Sequence, residues 1–157
     1  MAIIKPNNNT ISAITALPAA ISTGKVLQVV QGTTTTSVDH STTYADTGLT
    51  ASITPSSTSN KILIMINQHC YTDGVNGGSL KLFRDSTAIY TAPQKYAFYT
   101  NLSGNHLRNY HSFTHLDSPS STSSLVYKTQ AAEYTGNAFQ TQNDSLKSYI
   151  TLMEVFA

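Results

Sequence analysis

The chain has 157 residues, 39% of them hydrophobic and only 11% charged, with a formal net charge of +1. That length suits one domain with a real core. The balance leaves no electrostatic footprint for duplex nucleic acid, no run is long enough for a membrane-spanning helix, and the single Cys70 excludes an internal disulfide or a CxxC pair.

Ser and Thr supply about a quarter of the chain. Hydroxyls keep a surface wet, yet they cost less than charges to desolvate when a partner covers them. Thr also suits a pleated strand. The composition fits either a β-rich surface on a soluble monomer or, the favoured reading, a β protein largely covered by copies of itself or by neighbours.

Residues 1–23 stand apart. Asn7-Asn8-Asn9 is coil material, and the weakly apolar stretch Ile11–Ile21 is broken by Pro18. It does not fit a secretion signal, and alone it buries too little to be stable. Ile3, Ile4, Ile11, Ile14, Leu17 and Ile21 are odd choices for a solvated tail. Of a disordered tail and an extended arm that orders against a partner, they favour the anchoring arm.

Strand signals begin at Gly24. Val26–Gln31 is a β-branched run. Leu49, Ala51 and Ile53 alternate with Thr50, Ser52 and Thr54, a pattern with one buried face. Ile62–Ile66 is continuously apolar and reads as a central strand covered on both sides. Asp73-Gly74 and Asn76-Gly77-Gly78 read as turns, as does Arg84-Asp85-Ser86 after Leu80 and Leu82. Tyr96–Tyr99, Asn109–Leu116, Leu125–Ala131 and Ala138–Gln142 are further strands. In the last strand Tyr149, Thr151, Met153 and Val155 alternate with Ile150, Leu152 and Glu154. Pro55-Ser-Ser-Thr-Ser59 and Pro119-Ser-Ser-Thr-Ser123 each precede an apolar run, turn then strand written twice. Eight to ten short strands make an all-β, antiparallel sandwich, jelly-roll-like, over 24–157, with the arm over 1–23.

Several of these segments carry a resemblance. Ile3-Ile-Lys-Pro-Asn-Asn-Asn-Thr10, Gly24-Lys-Val-Leu-Gln-Val-Val30 and Ser52-Ile-Thr-Pro-Ser-Ser-Thr-Ser-Asn-Lys-Ile-Leu-Ile64 resemble small, tail-fibre-like virion surface proteins of tailed bacteriophages, especially those of marine and freshwater bacteria. Leu80-Lys-Leu-Phe-Arg-Asp-Ser-Thr87, Phe113–Pro119 and Ile150-Thr-Leu-Met-Glu-Val-Phe156 belong to the same pattern. The resemblance implies a jelly-roll head on a short N-terminal anchor, assembled as a trimer.

No chemistry-bearing motif is present. Asp39-His40-Ser41 has triad residue types, but sequence neighbours cannot assemble in line, and the trio reads as a polar loop. A glycosidase pair needs two carboxylates across one cleft, and Asp73, Asp85, Asp117, Glu133 and Asp144 fall at turns or strand ends. No cofactor is called for. His111 and His115 share a strand face around Phe113, because even spacing keeps a face. They are weak metal candidates against a plain half-exposed face. Residues 86–116 hold no acid. There, aromatic and cationic Lys95, Tyr96, Tyr99, Arg108 and Tyr110 would suit a host surface polysaccharide, or else pack and solvate.

The expected role is a non-enzymatic structural protein of a tailed-phage virion, assembled in the host cytoplasm. The leading version is a fibre or adhesin-type component contacting the host surface. A capsid decoration protein is the alternative, and a small glycan-degrading tail enzyme the third. Expected partners are copies of itself, other virion proteins through the arm, and surface polysaccharide, with no nucleic acid and no membrane insertion.

Overall fold

The computed structural model describes residues 25–93, 97–101, 103–136 and 138–156. The anchoring-arm residues Ile3, Ile4, Ile11, Ile14, Leu17 and Ile21 lie outside them, as do Lys95 and Tyr96. Among the described residues there are eleven strands: β1 (Val26–Thr34), β2 (Val38–His40), β3 (Ala45–Ile53), β4 (Lys61–Asp73), β5 (Asn76–Arg84), β6 (Thr87–Thr91), β7 (Phe98–Thr100), β8 (His106–Asp117), β9 (Leu125–Glu133), β10 (Phe139–Thr141) and β11 (Ser148–Val155).

They form two antiparallel sheets. In the first, β4 pairs with β8 on one side and with both β11 and β10 on the other; β1 then pairs β11 and β2 pairs β10. β1 with β2, and β10 with β11, therefore each fill one position. The second sheet runs β3-β9-β5, with β6 and β7 sharing the last place. Numbered along the chain, the positions run 1-8-3-6 and 2-7-4-5. This is the jelly-roll order, and the expected fold class holds.

The inward faces make the core. Ile62, Ile64 and Ile66 of β4 meet Ile150 and Leu152 of β11, Leu49, Ala51 and Ile53 of β3, and Leu125 and Tyr127 of β9. A second cluster gathers Cys70, Leu80, Phe98, Ala131 and Phe139 at the other end. Between them lies a buried polar layer. Thr129 Oγ1 donates to Gln68 Oε1 at 2.9 Å and meets Thr47 Oγ1 at 2.6 Å. Ser148 Oγ accepts from Gln68 Nε2 (3.1 Å) and His69 N (2.9 Å), and lies 2.8 Å from the Gln142 amide. Thr47, Gln68, Thr129, Gln142 and Ser148 are fully buried, so part of the hydroxyl surplus is interior rather than surface. Such a layer is tolerable because every member has a partner.

Two glycines allow the sheets to approach. A Cβ on Gly32 would stand 1.9 Å from Thr50 O, where β1 crosses β3. One on Gly78 would stand 2.3 Å from Phe139 Cζ. Asn76-Gly77-Gly78 is therefore not a turn: it opens β5, and its glycines make room for Phe98, Tyr99 and Phe139. The turn belongs to Asp73-Gly74, where Gly74 has φ 63°. The Pro-Ser-Ser-Thr-Ser repeats do precede β4 and β9.

Two carboxylates that flank Ile62 on neighbouring strands tie one end of the sandwich. Glu154 Oε1 accepts from Ser56 N (2.7 Å), Ser56 Oγ (2.8 Å) and Asn60 Nδ2 (2.6 Å), and Oε2 from Gln28 Nε2 (2.6 Å). Burial works against the charge, but these bonds outweigh it and hold the pKa down to about 2. Asp117 at the end of β8 accepts from Arg84 Nη1 at 2.8 and 2.7 Å and from Tyr127 OH at 2.7 Å, joining the two sheets.

Candidate binding surfaces

β8 is an edge strand and carries most of the candidate residues. Its parity separates them. His111, Phe113 and His115 face the second sheet: Tyr90 of β6 stacks on Phe113 at 4.6 Å and lies 6.3 Å from His115. Burial lowers the pKa of His111, and its Nε2 has no partner among the described residues. The two histidines do share one face, as their spacing requires. Among the described residues, no group of three or more His, Cys, Asp or Glu is placed to hold a metal.

Arg108 and Tyr110 point the other way, onto the outer face of the first sheet. The turn 142–147 folds over them. Arg108 Nε donates to Asn143 Oδ1 at 3.0 Å, its Nη2 lies 3.1 Å from Asp144 Oδ2, and its guanidinium sits 5.0 Å above the Tyr71 ring. Tyr110 OH donates to Lys147 O at 3.1 Å, and its ring meets His69 edge-on at 5.3 Å. His69 is buried beneath; burial and the Arg108 charge lower its pKa. Tyr71 OH lies 2.7 Å from His106 Nδ1, which also approaches Asp73 at 3.3 Å. The result is an aromatic and cationic patch whose charges are matched from within.

Tyr99 does not join it. Its neighbour Phe98 points inward, so Tyr99 faces out from the second sheet, edge-on to Tyr134 at 6.5 Å. The single aromatic surface expected from residues 86–116 is thus divided between opposite faces of the sandwich. Chain proximity suggested one surface; the crossing from β7 in one sheet to β8 in the other separates them.

Asp39 and His40 are also placed differently from the expectation. They lie in β2, not in a loop, and His40 is buried with Nε2 at 2.9 Å from Thr141 Oγ1. Burial lowers its pKa to about 4 against the pull of Asp39. Burial likewise pushes the Cys70 thiol up, away from nucleophile chemistry.

The carboxylates do structural work. Besides Glu154 and Asp117, Asp46 accepts from Lys128 and Gln130 at 2.8 Å each, Asp85 from Val126 N at 2.9 Å, and Asp39 from Gln140. Asp73 and Asp144 face His106 and Arg108. Only Glu133 has no bonded partner among the described residues, and burial raises its pKa. A shallow hollow of about 260 Å³ beside the β3 bulge is lined by Asp46, Gly48, Leu49, Thr50, Lys128 and Thr129. The one carboxylate on it is already bonded to Lys128.

One surface was missed at the level of sequence. Across the outer face of the first sheet, Val29, Met153, Leu63 and Leu116 pair in register on four adjacent strands. Gln31, Thr151, Met65 and Thr114 form the next row. Val29 and Leu116 are 54% and 51% exposed. The signal was present in β4, whose apolar residues occupy both parities; the chain covers one of its sides fully and leaves Leu63 and Met65 half-buried on the other.

No family model matches the chain, and no curated protein matches it. Among solved structures it is similar to one titled as infectious bursal disease virus, Gt strain, at 13% identity and a TM-score of 0.40. That alignment covers 82% of this chain and 40% of the other, so the chain spans less than half of that neighbour's length.

Proposed function

We propose that this chain is a non-enzymatic structural protein of a tailed-phage virion, a fibre or adhesin-type component that contacts the host surface. Residues 1–23 tie it to the particle, and the jelly-roll head self-associates and is displayed. The observation that carries this reading is the 1-8-3-6 and 2-7-4-5 strand order, an architecture used by viral capsid and lectin domains. Two things support it further. The sequence segments quoted above resemble small virion proteins over nearly the whole chain. Seven of the eight carboxylates are engaged by Arg84, Lys128, Arg108, His106, amide side chains or backbone amides, which leaves Glu133 without the second free carboxylate that a glycosidase pair needs. A shared fold alone does not assign a role, so the host contact must be tested directly.

The test is binding of the purified protein to host cells, with Arg108→Ala and Tyr99→Ala as probes of the two faces. The adhesin reading expects binding that one substitution weakens and the other spares. A folded protein that leaves host cells untouched removes the adhesin reading in favour of capsid decoration. Release of reducing sugar from host polysaccharide removes the non-enzymatic reading altogether.

A further inference from the structure

We infer that the hollow beside the β3 bulge is a sugar-binding site, which takes one uncharged pyranose ring of a host-surface glycan. The inference deepens the adhesin reading above. It rests on that reading for the source of the sugar, and on the hollow itself for the chemistry.

The bulge makes the hollow. Asp46 pairs with Gln130 and Thr50 with Lys128, so β3 spends three residues, Thr47, Gly48 and Leu49, where β9 spends only Thr129. Thr47 and Leu49 turn into the core, and Gly48 joins them at φ 79°. The extra backbone parts from β9 and opens about 260 Å³ at the outer face of the second sheet. That lies just below the range of drug-sized ligands and suits a single ring. Bulges commonly sit where a strand shapes a site.

The lining selects the ligand. It is mainly apolar, with one ion pair on its rim, the mixture that small-molecule sites use. Asp46 accepts from Lys128 Nζ and Gln130 Nε2 at 2.8 Å each, so its carboxylate is fixed in place. The Lys128 bond holds the Asp46 carboxyl below its usual range, which keeps the pair ionised at neutral pH. The Asp46 side chain is still 53% exposed and that of Lys128 31%. The carboxylate has lone pairs, and the ammonium N–H groups, beyond those used between them. A vicinal diol answers both: one hydroxyl donates to Asp46 while its neighbour accepts from Lys128. An anionic ligand is repelled by Asp46 and a cationic one by Lys128, so the pair discriminates in favour of an uncharged polyol. The apolar floor suits the C–H face of the ring. Past the hollow the surface continues along the strand rows. Lys81 stands in register with Gln130, and Phe83 with Lys128. Lys81 Nζ lies 3.9 Å over the Tyr44 ring. A glycan leaving the hollow therefore meets amide, ammonium and aromatic groups in turn.

The experiment is amide NMR titration of the full chain with the methyl glycosides of glucose, galactose, mannose and rhamnose. At least one should give saturable shifts at the Gly48, Thr50 and Lys128 amides. Glucuronate and glucosamine should each bind at least about fivefold more weakly than that sugar. Asp46→Ala and Lys128→Met each remove half of the pair and should each weaken it at least about tenfold. Leu116→Thr, on the outer face of the other sheet, should change nothing. The melting temperature reports whether each variant is folded. If one unfolds, Thr50→Trp, which fills the hollow from its rim, takes its place and should abolish the shifts. Four results overturn the proposal: no saturable shift with any of the four glycosides, shifts that lie away from the hollow, a charged sugar bound as tightly as the neutral one, or folded variants that bind normally. Host-cell binding is scored separately. Cells bound without sugar shifts remove this site and keep the adhesin reading, whereas sugar shifts without bound cells keep the site and remove the adhesin reading.

Discussion

Replacing Glu154 with Gln tests how the Pro55–Asn60 turn is held against the sheets. The native carboxylate accepts four hydrogen bonds at 2.6–2.8 Å while fully buried. Gln can keep the Ser56 and Asn60 bonds at one oxygen, but its amide nitrogen then faces the Gln28 donor, and every remaining bond loses its charge. The charge on this carboxylate is worth its pKa depression from 4.5 to about 2, which at about 1.4 kcal/mol per unit is roughly 3 kcal/mol lost in the Gln variant. For a domain of this size that is about 6–12 °C in melting temperature. The pH dependence adds a second check. The folded pKa, about 2, lies below the usual 4.5. The unfolded state therefore binds more protons between these values, and the stabilisation is complete above pH 4.5 and lost as pH falls towards 2. Thermal unfolding of both proteins at one concentration from pH 7 to pH 2 should show a gap that closes across that window. An unchanged melting temperature at pH 7, or a gap that persists undiminished at pH 2, refutes the reasoning.

Three further outcomes follow from the same packing. Gly78→Ala places a Cβ against the Phe139 ring and should cost about 1–3 kcal/mol in urea unfolding, with Phe139→Leu in the same chain recovering part of it. Gly32→Ala meets the Thr50 backbone instead, so no side-chain substitution should relieve it, and soluble folded yield should drop more steeply. His40 is buried neutral, with its pKa lowered to about 4; the unfolded chain gains its proton first, so stability should fall by up to about 3 kcal/mol between pH 6.5 and 4, and His40→Gln should flatten that slope.

Much of the architecture was legible because strands write their faces with period two. The alternation in Leu49–Ile53 and Tyr149–Val155 gives the inward set of β3 and β11 directly, and parity alone separates His111 and His115 from Arg108 and Tyr110 on β8. Two kinds of feature were not legible. Buried hydroxyls such as Thr47, Thr129 and Ser148 look like surface residues until the partner across the core is known. Glycine beside glycine looks like a turn, yet Gly77 and Gly78 serve the close approach of rings from distant strands. Placing Tyr99 opposite Arg108 required knowing that the chain changes sheets between β7 and β8. The doubly apolar β4 announced a face that the folded chain leaves partly open.

Quantitative mass spectrometry of purified phage particles, from the host carrying this sequence, tests the central claim most directly. The account predicts that the chain is a stoichiometric part of the particle, at a few to a few dozen copies for a fibre component. Hundreds of copies would move it to the capsid surface, and absence from particles would contradict the account.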